Sequence, residues 1–264
     1  MTDATGPRPP SALAEFAAAV MFLTRVPIRW RGDWPADLDQ RAMAWFPIVG
    51  ALIGAAGGAL YWAASTVGLP PALAAPVAIG GLVWLTGALH EDGLADVADG
   101  FGGGRDRARK LEIMKDSRIG TYGAAALLLA LGAKVAALAT LAEPRTVALA
   151  LIGAHAFSRG LLPTLKAALP DARADGVSAA QGRPNGARAL VAAVIGLTLG
   201  ATALGELALP LFGAPAVLAA ALLPVLVLAR MARRQIGGIT GDVLGAAQQV
   251  AELAFLLALV AVLS

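Results

Sequence analysis

The sequence predicts an all-α fold: a polytopic transmembrane helical bundle of about seven spans, preceded by a short N-terminal helix that is interfacial or re-entrant. Three observations carry that prediction. Of the 264 residues, 58% are hydrophobic and only 15% are charged, too apolar an average for a water-soluble domain of this length. Apolar runs of about 20 residues, the length that crosses a bilayer as a helix, recur along the chain. The Lys and Arg residues fall almost entirely in alternate loops, as they do in chains threaded through a membrane. Cysteine is absent, which excludes disulfides, thiolate metal sites and a cysteine nucleophile.

In chain order, residues 1–11, MTDATGPRPPS, read as a disordered tail without the basic stretch and apolar core of a signal peptide. Residues 12–264 read as a single integral-membrane catalytic domain. Segment 12–24, ALAEFAAAVMFLT, is too short to span and carries Glu15, hence its interfacial or re-entrant assignment. The spans are 42–66, 71–90, 121–142, 145–164, 187–208, 211–230 and 243–264. Within the first, Gly50, Gly54 and Gly58 recur every fourth residue, a stripe that lets neighbouring helices approach closely and permits assembly of more than one copy. The N-terminal region through Arg41 and the loops 91–120, 163–188 and 230–242 hold 18 of the 21 Lys and Arg residues. These segments, and the N-terminus with them, are therefore expected in the cytoplasm, and the C-terminus outside. The basic pI of about 9.7 reflects that topology and not a nucleic-acid surface, since the basic residues lie between apolar spans.

The chemistry is concentrated where the second span ends. PALAAPVAIGGLVWLTGAL runs directly into HEDGLADVADGFGGG, His90 to Gly104. Asp92, Asp96 and Asp99 are spaced i, i+4, i+7, which places them within an arc of about 60° and along about 10 Å of one helix; Glu91 falls off that stripe. Like charges so placed destabilise a helix, more so beside lipid than in water, and require a positive partner. Oxygen ligands favour a hard ion, Mg²⁺ or Mn²⁺, held by one or two carboxylates together with substrate phosphate. In DGFGGG, Gly102, Gly103 and Gly104 are expected to end the helix and turn bare N–H groups toward phosphate oxygens. MKDSRIG follows, with Lys115, Asp116, Ser117 and Arg118 before a helix opening at Gly120–Tyr122; a helix N-terminus with an Arg fork suits a phosphate. Together these describe a diphosphate-handling site.

Two further patches join it. GGITGDVLGAAQQVAE (237–252) opens the last span on the same side, with Asp242 near its start and Gln248 and Glu252 on one helix face. Glu252 is either functional or the partner of Lys134 in a neighbouring span. In HAFSR, Arg159 is either a side chain snorkelling to the headgroups or, with Ser158, a contact for an anionic substrate. His90 is either a ligand or base beside the acids or a helix-end histidine.

These motifs carry a resemblance. HEDGLADVADGFGGG and LEIMKDSRIGTYG, with LTRVP (23–27) upstream and GGITGDVLGA (237–246) downstream, resemble the cobalamin synthase family, the adenosylcobinamide-GDP ribazoletransferases, from about residue 15 to the C-terminus. The resemblance implies a multi-pass enzyme of the bacterial inner membrane acting in nucleotide loop assembly of vitamin B12 synthesis. It implies that adenosylcobinamide-GDP is joined to α-ribazole, or its 5′-phosphate, with release of GMP and a requirement for Mg²⁺. Carried onto this chain, it implies Asp92, Asp96 and Asp99 as metal-holding and catalytic residues, Arg118 as the group that takes up charge on GMP, and Lys115 and Asp116 at the substrate. Asp99 is expected to take the proton of the attacking ribose hydroxyl. Glu91 departs from the family, which more often has a hydrophobic residue there.

Two other functions fit parts of this pattern. A CDP-alcohol phosphotransferase also presents a DG-containing Asp series at the membrane, although its pattern has an Ala-Arg pair and a longer gap than DGLADVADG. A cation or cobamide transporter would use the acids as a transport site, which would normally lie near the bilayer midplane on broken helices.

Overall fold

The computed structural model describes residues 11–264; the expected tail 1–11 lies outside them except for Ser11. Helix α1 spans Ala12–Leu23 and is capped by Ser11, whose hydroxyl accepts from the Ala14 N–H. Its 12 residues reach about 18 Å, short of a hydrocarbon core of about 30 Å. Glu15 is buried because it bonds the Trp45 indole at 3.3 Å and Arg188 at 3.2 Å, which fastens α1 across two later helices.

A short helix α2 (Leu38–Ala42) passes through a 3₁₀ turn into α3 (Phe46–Thr66). Next come α4 (Pro71–Thr86), α5 (Leu89–Gly103), α6 (Arg107–Ile113), α7 (Thr121–Leu141), α8 (Pro144–Ala168), the one-turn α9 (Val177–Ala180), α10 (Gly186–Gly205), α11 (Gly213–Gln235) and α12 (Gly241–Leu263). Among the described residues, six helical stretches are long and apolar enough to cross a membrane: α2–α3, α7, α8, α10, α11 and α12. The seventh expected span is different. α4 stops at Thr86, and the chain bends by 90° into α5.

The stop has a local cause. Gly87 is left-handed at φ 66, the Ala88 N–H returns to the Val83 carbonyl at 2.9 Å, and that of Gly87 to Trp84 at 3.3 Å. This paired closure ends helices on a glycine free of a Cβ penalty. Ala88 is also left-handed, at φ 58, an uncommon conformation for a residue with a side chain. The apolar run thus becomes a broken span whose second half is the acidic helix.

The glycine stripe seats α3 on α8: a Cβ at Gly50 or Gly54 would strike the carbonyl oxygens of His155 and Leu151, and one at Gly58 would lie 2.7 Å from Ala148 Cβ. A second glycine contact, Gly93 on α5 against Gly245 on α12, lets those two helices touch backbone to backbone. Near α5, the residues before α9 pair with those before α12: Ala172 N–H to Ile239 O at 2.7 Å and Ile239 N–H to Pro170 O at 2.8 Å.

Candidate active site

The Gly93–Gly245 contact builds the site. With no side chain between the helices, α5 lies against the first turn of α12, and Asp92 and Asp96 come beside Asp242. Asp96 feels the charges of Asp92, Asp242 and Asp99, against one favourable charge, Arg173. Asp242 is held by the Thr240 hydroxyl at 3.0 Å and Arg173 at 3.3 Å. Asp92 and Asp96 take no protein donor among the described residues. The result is an acidic cleft, exposed at Asp92 and half-buried at Asp96, whose negative charge the chain leaves largely unmatched.

Asp99 is placed otherwise. Its two oxygens accept the Gly120 N–H at 2.7 Å and the Gly123 N–H at 2.8 Å, capping α7 from a neighbouring helix. A carboxylate there satisfies orphan donors and complements the helix dipole. Asp99 thus differs from Asp92 and Asp96 in holding α7, with one lone-pair site of each oxygen engaged, while it borders the hollow described below. The glycine turn is corrected. Gly102 and Gly103 lie inside α5 and Gly104 is its C-cap, its N–H bonded to Gly100 O at 3.0 Å. Those N–H groups are committed to the helix; Gly102 instead leaves room for the Tyr122 ring.

Within MKDSRIG, Met114 is buried and Lys115 to Ile119 form an exposed loop leading into α7, which opens after Gly120 as expected. Arg118 grips Asp116 at 2.6 Å and holds its carboxyl down at about 2, so the pair stays charged. Lys115 pairs with Asp175, lowering that carboxyl by hydrogen bonding. Asp99, Arg109, Asp116, Arg118 and Tyr122 border an open hollow of about 540 Å³. Ser117 is exposed.

On the α12 side of α5 lies a second space of about 190 Å³, bordered by Asp92 and Asp242 and walled by Phe22, Met43, Phe46, Leu162 and Leu244. Lys166 closes its base, buried, donating to the Ser178 carbonyl at 2.5 Å and hydroxyl at 2.6 Å. Lys166 and Arg173 were missed from the sequence. Neither sits in a patterned motif, and only their shared loop on the basic side hinted at them.

For Arg159 the structure corrects the snorkelling reading. The residue is 1% exposed and is not among the residues around the cavity; snorkelling is ruled out by that burial. Its guanidinium meets His155 Nδ1 at 2.6 Å and His90 Nδ1 at 3.5 Å. Around it runs a buried polar cluster: Lys134 donates to Glu252 at 2.6 Å and to Gln249 at 2.8 Å, Gln248 to Glu252 at 2.5 Å, and Gln249 to Glu91 at 3.0 Å. Glu252 is thus the partner of Lys134, and Glu91 turns from the cleft into this cluster.

For a metal, the donor chemistry fits in one form only. Among the described residues no group of three or more His, Asp or Glu side chains converges closely enough to cage an ion. Asp92, Asp96 and Asp242 do offer hard oxygen donors with spare lone pairs at a solvent-reached cleft. That suits an ion that keeps waters and is completed by substrate phosphate.

Comparison with known proteins agrees with the motifs. The family model described as cobalamin-5-phosphate synthase matches residues 15–260. The chain is 48% identical over 254 residues to the adenosylcobinamide-GDP ribazoletransferase of Azorhizobium caulinodans, covering 93% of this chain and 94% of that protein. It is 44% identical over 249 residues to the protein of the same name from Bradyrhizobium diazoefficiens, covering 94% and 93%. No solved structure matches the chain.

Proposed function

Because this chain belongs to the cobalamin-5-phosphate synthase family, we propose that the cleft of Asp92, Asp96 and Asp242 is where its reaction takes place. The reaction joins adenosylcobinamide-GDP to α-ribazole, or its 5′-phosphate, and releases GMP. The family match favours this reading over the CDP-alcohol phosphotransferase and the transporter. The observation that carries the cleft assignment is three carboxylates brought together by a glycine contact while Arg173 bonds directly to only one of them.

Asp96 and Asp242, with phosphate oxygens of the substrate, would hold Mg²⁺. The ion would neutralise charge on the diphosphate as it is split. Asp92, exposed and free of protein donors, accepts the proton of the ribose hydroxyl as its oxygen bonds to the phosphorus attached to cobinamide. The bond from that phosphorus to the bridging oxygen breaks, and GMP leaves with the oxygen. Arg118, steadied by Asp116, lies at the open hollow on the other side of α5 and takes up charge on the departing guanylate. The reading carries an inner-membrane location with the cleft facing the cytoplasm, supported by the 18 of 21 Lys and Arg residues on that side.

The test is GMP release by the purified protein given adenosylcobinamide-GDP and α-ribazole. Activity is expected to disappear on chelation and return with Mg²⁺, while the thermal melt stays in place because no carboxylate cage stabilises the fold. Chelator-resistant turnover would remove the metal from the reading.

A further inference from the structure

We propose that the cavity of about 190 Å³ between α1, α3, α5, α8 and α12 is the binding chamber for the acceptor nucleoside, and that its walls select the base. The inference rests on the reaction assigned above. Three bodies must be held during that reaction: a corrinoid, a guanylate and the α-ribazole nucleoside. A corrinoid is far too large for this space. The guanylate is assigned above to the open hollow beside Arg118, on the other side of α5. The nucleoside of a flat, uncharged benzimidazole matches the walls in size and polarity.

Two features of the chamber point the same way. Phe22 and Phe46 lie nearly parallel, with ring planes 4° apart and centroids at 5.7 Å, so the wall already presents flat aromatic surface to which a flat base can stack. His90 is 4% exposed, lines the chamber, and directs only Nδ1 toward Arg159; its Nε2 has no protein partner among the described residues. That nitrogen is therefore free to meet a polar atom of a bound ligand. With the base seated against Phe22, Phe46 and Leu162, the ribose lies toward the Asp92 carboxylate that takes its proton.

The experiment uses full-length protein in nanodiscs with adenosylcobinamide-GDP and Mg²⁺, and two acceptors: α-ribazole and the nucleoside of benzimidazole lacking both ring methyl groups. Leu162→Phe is expected to raise KM for α-ribazole about tenfold or more, the scale on which an apolar pocket discriminates a methyl group. KM for the unmethylated acceptor should move less than about threefold, and KM for adenosylcobinamide-GDP should not move. Phe22→Leu, which keeps the wall apolar but removes the stacking surface, is expected to raise KM for both acceptors about tenfold. If Leu162→Phe fails to fold, Leu244→Phe on the α12 wall carries the same size test. Equal effects on the two acceptors, or a shift in KM for the corrinoid instead, would overturn the assignment. The reaction and the chamber fail separately. Wild-type protein that releases no GMP with either acceptor sinks the reaction, whereas binding of α-ribazole alone, followed by its benzimidazole fluorescence and unaffected by Leu162→Phe and Phe22→Leu, sinks the chamber.

Discussion

Two acidic regions of this molecule lie on opposite sides of the same helix start and are treated in opposite ways. In the interior, Glu252 is 2% exposed and is met by Lys134 at 2.6 Å and Gln248 at 2.5 Å, with His155 at 3.4 Å. In the cleft, Asp92 and Asp96 have no protein donor, and Arg173 is spent on Asp242. A buried carboxylate whose charge is answered within the chain holds helices together. One whose charge is left open awaits something from outside. The distinction separates structure from function more sharply than residue type or position in the membrane.

The largest expected effect tests the open side of that comparison. Asp92→Asn and Asp96→Asn should each lower GMP release by about 10³-fold, while the thermal melt holds or rises because like-charge repulsion in the cleft is relieved. Activity and melting temperature measured on the same purified samples check this, and a variant that loses both together would make the cleft acids structural.

Glu252→Gln tests the closed side. Removing one partner strands Lys134 in the interior and should cost about 3–5 kcal/mol, read from unfolding in detergent, with turnover per folded molecule retained. Replacing Lys134 and Glu252 together by Met should recover much of that loss, since no unpaired charge remains. Comparable destabilisation by single and double variants would break the argument.

A smaller effect concerns what lets either region form. Gly54→Val drives a side chain into the Leu151 backbone, and the overpacking should cost about 1–3 kcal/mol in the same unfolding measurement. The smallest falls on the exposed pair. Asp116→Asn frees Arg118 without touching packing, so stability should not change measurably, whereas KM for adenosylcobinamide-GDP should rise about threefold, the effect of one less well oriented exposed contact.

How much was legible in the sequence varies by residue. The span boundaries, the Gly50–Gly54–Gly58 packing face and the acidic stripe follow from period and composition, which are local properties of the chain. The bend after Gly87 was hidden, because PALAAPVAIGGLVWLTGAL remains apolar through it, and hydropathy does not register a left-handed residue. The glycines after Asp99 looked like a turn yet are helical through Gly103, because neighbours such as the Tyr122 ring pack where their side chains would be. Asp99 was indistinguishable from Asp92 and Asp96 by spacing; only the arrival of α7 gave its oxygens backbone donors.

By itself, then, the amino-acid order determined an all-helical membrane bundle, the loops that bear the basic residues, and the motifs that mark the family, since hydrophobic period and residue type act over one or two helical turns. Only the tertiary structure decided which carboxylates stay available, bringing Asp242 and Arg173 to the cleft, withdrawing Asp99 to a helix end and burying Arg159 among histidines. The reason is that charge compensation is pairwise and through space: whether an acid is spent or free depends on partners dozens of residues away, whose approach is set by backbone contacts such as Gly93 on Gly245.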